Sequence, residues 1–225
     1  MTAHSSKRSA RARTGHATRT TAAVAVPTTL WATRADPGDP SDRWPALILS
    51  RAVREFSGPG DRVLLIGWPA AARRGPLQAI PAGTGPALAA VEHLGRRPRI
   101  ESGTPGPRGA HTTAELVVVS LLADDADPLP GRVTDRAAQR LAEGGLLVVL
   151  ARCGHSRAGV LDDPAGAVVA AAQAADLLYL QHIIAAPVTG NTISQPETPA
   201  PEHSTHALVH TDVFVFLNPA AAPQC

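Results

Sequence analysis

Short, unbroken apolar runs alternate along this chain with segments whose apolar positions recur at helical spacing. The runs cover residues 62–67, 115–122 and 146–150, and a further strand is expected at about 177–184, where Gln181 and His182 interrupt the apolar residues. Runs of that length, rich in Val, Leu and Ile without polar alternation, suit strands buried on both faces. A shorter strand is predicted to end at Ile100-Glu101, and residues 211–217, with Asp-Val-Phe-Val-Phe, read as a last strand. Helices are predicted over 45–56, with Leu47, Ile48, Ala52, Val53 and Phe56 near helical spacing and Ser41 or Asp42 as cap. Further helices are expected over 86–94, over 132–142 closed by Glu143-Gly144-Gly145, and over the alanine-rich 164–175. Residues 24–32 make a short strand or an extended arm carrying Trp31.

Strands alternating with helices predict an α/β fold, a mostly parallel sheet with helices on both faces. Glycine and proline punctuate the chain at 36–40, 58–61 and 102–111, and 185–205 is Pro-, Thr- and Ser-rich and expected to be irregular. The organisation this implies is a disordered tail over 1–22, one domain over 23–219 with an irregular loop at about 185–210, and a short tail over 220–225.

Composition changes the picture in three places. Aromatic residues are only 3% of the chain, so Val, Leu, Ile and Ala must fill the core. The net charge of +2 conceals an asymmetry, because Lys7, Arg8, Arg11, Arg13 and Arg19 share the first 22 residues with no acid. Without those five, 16 basic residues face 19 acidic ones, a basic tail on a slightly acidic domain. Such a tail is a solvated segment or a contact for DNA or an acidic partner. Two cysteines, Cys153 and Cys225, make no disulfide framework, and no apolar run reaches the ~18 residues of a membrane span. A soluble, cytoplasmic protein is expected.

The candidate chemistry lies between Asp61 and Glu101. Pro59-Gly60-Asp61 turns into the first apolar strand, Gly83-Thr84-Gly85 opens a helix, and the next strand closes on Glu101. Strand, glycine loop, helix, strand and acid is the order in which a Rossmann-like unit presents a nucleotide site. Pro59-Gly60-Asp61-Arg62-Val63-Leu64 and Gly83-Thr84-Gly85 through His93-Leu94-Gly95-Arg96 resemble the amino-methylating DNA methyltransferases, which methylate adenine N6 or cytosine N4 with S-adenosylmethionine. Glu115-Leu116-Val117-Val118-Val119-Ser120, Glu143-Gly144-Gly145-Leu146-Leu147-Val148-Val149 and His210-Thr211-Asp212-Val213-Phe214-Val215-Phe216 resemble later motifs of that family, in order, over about 43–219.

The resemblance implies a Rossmann-like class I methyltransferase fold with an antiparallel last strand. It also implies S-adenosylmethionine as cofactor, held by Gly83, Thr84, Gly85 and Glu101, the acid binding the ribose, and DNA as partner. The functional positions depart from the family. Leu65-Ile66 replace its Asp-Pro, and residues 67–82, with Arg73-Arg74, separate the first strand from the glycines. Ser120-Leu121-Leu122-Ala123 replaces the catalytic Ser-Pro-Pro-Tyr, whose polar groups accept hydrogen bonds from the target amine while its ring stacks on the flipped base. Ser120 therefore marks a degraded motif position, and no catalytic set is intact.

The expected function is that of a divergent, catalytically impaired relative that acts as a binding or partner protein. The alternatives are an active DNA methyltransferase, or a Rossmann-like binder of another nucleotide. Three minor metal or thiol candidates remain. They are Asp124 with Asp125 and Asp127, His203 with His206 and His210, and Cys153 beside His155. A solvated loop is the simpler account of the acids, the histidines sit in a Pro- and Thr-rich region, and two residues of separation on a loop do not fix a thiol–imidazole geometry.

Overall fold

The computed structural model describes residues 29–33, 42–67, 83–102, 113–122, 130–155, 160–189, 191–193 and 210–219. The expected basic tail over 1–22, Arg73-Arg74, the 103–112 loop, Asp124, Asp125, Asp127, His203, His206 and the side chain of His155 lie outside what is described. The strands are β1 (Leu30–Thr33), β2 (Arg62–Gly67), β3 (Arg97–Ser102), β4 (Ala114–Ser120), β5 (Leu141–Ala151), β6 (Gly154–His155), β7 (Leu161–Asp162), β8 (Leu178–Thr189), β9 (Thr192–Ile193) and β10 (Thr211–Leu217). The helices are α1 (Ala46–Phe56), α2 (Thr84–His93), α3 (Pro130–Ala138) and α4 (Ala165–Ala174).

One sheet runs β1-β8-β10-β5-β4-β2-β3, with β9 paired to β8, while β6 and β7 form a separate small ladder. Strands β3, β2, β4 and β5 are mutually parallel. Strand β10 is antiparallel to both its neighbours, β5 and β8, as expected for the last strand.

The strand period of two sorts the core into two layers. Val63, Leu65, Leu116, Val118, Val148, Leu150, Val213 and Val215 pack with Leu49 and Val53 of α1 and Ala87 and Val91 of α2. Leu64, Ile66, Val117, Val119, Leu147, Val149, Phe214 and Phe216 pack with Val133 and Ala137 of α3 and Val168 and Ala172 of α4. Successive residues of one strand thus serve opposite layers, which is why these strands carry no polar face.

Three elements differ from expectation. Helix α3 stops at Ala138, and residues 141–145 already belong to β5. Gly144-Gly145 do not close a helix. They make the irregular start of β5, where the β4 register shifts between Ala114 and Leu116. Gly144 has a φ of 73°. A Cβ on Gly145 would lie 2.8 Å from the Ala142 carbonyl oxygen and 3.1 Å from that of Glu115, so only glycine fits beside the neighbouring backbone.

Strand β8 continues to Thr189 where an irregular segment was expected from 185. The reason is non-local: β1 pairs with it in parallel from Leu30↔Ile184 to Thr33↔Pro187, giving this stretch a partner from the far end of the chain. Finally, Asp42 does not cap α1. Its Oδ1 accepts from the Trp44 amide at 2.9 Å, and Pro45 occupies the cap position.

Candidate functional site

The parallel strands end together along one edge, where Gly67 stands opposite Ser102 and Ser120, and Ser120 opposite Leu150. Strand β10 begins at the same edge, with Asp212 opposite Ala151. In open α/β sheets this carboxyl edge is where ligands bind. Each residue singled out in the sequence can be placed against it.

Gly83 takes a left-handed φ of 75° at the head of α2, a conformation that favours glycine. Its α-carbon faces the Asp42–Trp44 turn: a Cβ there would lie 3.7 Å from Asp42 Oδ1. Thr84 is buried, whereas Gly85 is exposed, and a Cβ on it would meet nothing within 4 Å. The glycines therefore leave open backbone at the first turn of α2. Asp61, the acid of the Pro-Gly-Asp turn, lies at the opposite end of β2 and accepts from the Gly58 amide at 2.6 Å, closing its own turn.

Glu101 stands beside Ile66, one residue before the end of β3. Its side chain points to the α3 layer, where Arg140 donates from Nε to Oε2 and from Nη2 to Oε1, each at 2.7 Å. Arg136 Nη2 donates to the same Oε1. Burial by itself would push this carboxyl up, but the hydrogen bonds and charges of the two arginines overcome it and hold the group below the ordinary carboxylate range. Both oxygens of the expected ribose acid are thus occupied by guanidinium donors.

Ser120 points to the opposite layer. It is fully buried, and its hydroxyl donates to the Arg43 carbonyl at 2.5 Å while accepting weakly from the Leu122 amide at 3.4 Å. The turn leading into α1 therefore covers the carboxyl end of β4 and lies against the head of α2.

A group of side chains that sequence reasoning left apart meets further along the edge. Asp212 is buried near the start of β10 on the α3 and α4 layer. Its Oδ1 lies 2.8 Å from His182 Nε2 and 3.4 Å from His210 Nε2. Its Oδ2 lies 4.0 Å from the Cys153 thiol. His182 sits on β8 opposite Phe214 and stacks on its ring at 4.5 Å between centroids.

Burial would raise Asp212, but hydrogen bonds from His210 and His182 hold it below its ordinary value. His210 is raised in turn, chiefly by that bond. Burial pushes the Cys153 thiol up, and the carboxylates of Asp212, Asp163 and Asp162 push it further. Of this group the sequence reading considered Cys153 and His210 as candidates, each with another partner, and named Asp212 only within the His210–Phe216 motif. His210 and Asp212 are neighbours in the chain, but only the pairing of β10 with both β5 and β8 brings Cys153 and His182 to them.

The strand order, with β10 reversed between β5 and β8, decides the architecture. The fold is that of class I methyltransferases. Solved structures of similar fold include the N-methyltransferase NodS from Bradyrhizobium japonicum WM9, at 17% identity and a TM-score of 0.43, covering 81% of this chain and 99% of that one. The 1,6-didemethyltoxoflavin-N1-methyltransferase of Burkholderia thailandensis, with S-adenosylhomocysteine bound, has 13% identity and a TM-score of 0.48 over 80% of each chain. A methyltransferase in complex with the Haloferax volcanii Trm112 activator has 13% identity and a TM-score of 0.48, covering 81% of this chain and 92% of that one. No family model matches the chain, and no curated protein matches it. Among the described residues, no helix is long and apolar enough to cross a membrane.

Proposed function

We propose that this chain is a methyltransferase-fold protein that has given up methylation of nucleic-acid bases and acts through binding to a partner. The observation that carries this reading is Glu101. A ribose acid must offer free carboxylate oxygens to two hydroxyl groups, and those of Glu101 are held by Arg136 and Arg140 in a charge-assisted fork. Ser120 supports it, since its hydroxyl is committed to the Arg43 carbonyl and Leu121-Leu122 supply neither the turn-forming prolines nor a ring for a flipped base. The resemblance to DNA amino-methyltransferases then describes ancestry, and the basic tail is the segment that would meet DNA or an acidic partner.

A second reading, an active S-adenosylmethionine-dependent methyltransferase on DNA, is favoured by one feature. The left-handed Gly83 and the open Gly85 leave the first turn of α2 accessible to a cofactor's polar end.

Calorimetric titration of the folded full chain with S-adenosylmethionine and S-adenosylhomocysteine separates the two. The expected outcome is no saturable heat with either ligand, from a sample whose thermal unfolding is cooperative. Micromolar binding abolished by Gly85→Val, together with methyl transfer to DNA, would establish the second reading instead.

A further inference from the structure

The group around Asp212 lies further along the same carboxyl edge and shares no residue with the glycines of α2 or with Glu101. It brings a thiol, an imidazole and a carboxylate from β5's end and β10's start within 4.8 Å of one another. Those donor types, sulfur, nitrogen and oxygen together, suit a borderline-soft divalent ion and not calcium or magnesium, which take oxygen ligands. We propose that Cys153, His210 and Asp212 bind a divalent transition-metal ion of the zinc class, with His182 holding Asp212 in position from the other side.

The distances fit. Ligand atoms bound to zinc at about 2.0–2.3 Å on a tetrahedron lie roughly 3.3–3.6 Å apart. His210 Nε2 and Asp212 Oδ1 are 3.4 Å apart, Cys153 Sγ and Asp212 Oδ2 are 4.0 Å apart, and all three donors lie within 4.8 Å, so side-chain adjustment of about 1 Å closes the site. His182, 2.8 Å from Asp212 Oδ1 and stacked on Phe214, is placed as the outer partner that orients a carboxylate ligand.

Metal binding would convert the thiol to thiolate, releasing its proton to solvent, and would leave one position open toward the partly exposed side of His210. A site of three protein ligands and one open position is the kind that takes a further small ligand on the metal.

The test uses the full chain, freed of metal with a chelator and titrated with cobalt(II), whose spectrum reports its ligands. One equivalent should bind, with thiolate-to-cobalt charge transfer in the near ultraviolet and visible bands of tetrahedral strength. Cys153→Ala should abolish the charge-transfer band, while Cys225→Ala should keep it. His210→Ala should weaken binding at least about tenfold, and His182→Ala by about 10- to 100-fold with the charge-transfer band retained. Asp212 is too buried for its variant to be a safe test, so the proposal rests on the partly exposed Cys153 and His210, with circular dichroism as the check on folding. If Cys153→Ala does not fold, Cys153→Ser takes its place and should lose the same band. Saturating cobalt without a thiolate band in the unmutated chain overturns the proposal, as does an unchanged band in a Cys153 variant or unchanged affinity in His210→Ala.

Discussion

At the scale of single residues, the clearest electrostatic feature is Arg62 with Glu115. The Arg62 guanidinium donates to both Glu115 oxygens, and the Arg62 amide adds a bond to Oε2 at 2.7 Å. That bonding, led by the side chain of Arg62, takes the Glu115 carboxyl from 4.5 to about 2. A carboxyl depressed in the folded state adds stability above its unfolded pKa and loses it as pH falls through its folded one. The contribution of Glu115 is therefore complete at neutral pH and disappears between pH 4.5 and about 2. Glu115→Gln should flatten that part of the acid limb while changing the slope above it little, as read from urea midpoints across the acid range. An unchanged acid limb would mean that the pair contributes nothing in solution. The pairing joins residues 53 apart, which belong to two separate motifs that nothing in the sequence links.

At the scale of elements, the Glu101 fork ties α3 to β3 across the width of β2. Helix α3 connects β4 to β5, yet Arg136 and Arg140, at and just beyond its end, reach past β2 to the sheet's outer strand. Arg140 is almost wholly buried, its side chain 6% exposed, so removing its partner leaves a buried cation uncompensated. Breaking such a pair costs about 3 kcal/mol. Glu101→Gln and Arg140→Met should each destabilise by about that amount, and the double variant by clearly less than their sum, in urea denaturation. A Glu101→Gln variant as stable as the parent chain would point to a carboxylate kept for a ligand instead. The position was legible as an acid at the end of a second strand. Its partners were not, because two arginines four apart on a helix read equally well as a solvated face.

At the scale of the whole molecule, the two polar groups on the α3 and α4 layer stand well apart along the carboxyl edge. Strands β2, β4 and β5 separate β3 from β10, roughly 19 Å at about 4.8 Å per strand. Groups that far apart with no shared partner act independently. Glu101→Gln should therefore leave the cobalt affinity of the Asp212 group unchanged within about twofold, even as it lowers the unfolding midpoint. A parallel fall in both would show that the sheet transmits strain from one group to the other. The sheet is well placed to resist it, since buried Val, Leu, Ile and Phe side chains fill both layers.

The sequence by itself determined the architecture. Apolar runs at residues 62–67, 115–122 and 146–150, with helical spacing between them, predict a sheet covered on both faces. The resemblance of ordered motifs added the antiparallel last strand. Local patterns carry that much because a strand's burial and a helix's apolar face are written in neighbouring residues. What only the tertiary structure decided is which side chains meet. Gly144-Gly145 were visible as glycines, but only the approach of β4's backbone made them the start of a strand. Residues 185–189 looked irregular until β1 arrived as a parallel partner. Glu101 was visible as an acid, but the reach of α3 committed it to arginines, and the pairing of β10 between β5 and β8 gathered Cys153, His182, His210 and Asp212. Each of these outcomes depends on contacts between residues far apart in the chain, set by sheet register and helix reach, which no local spacing encodes.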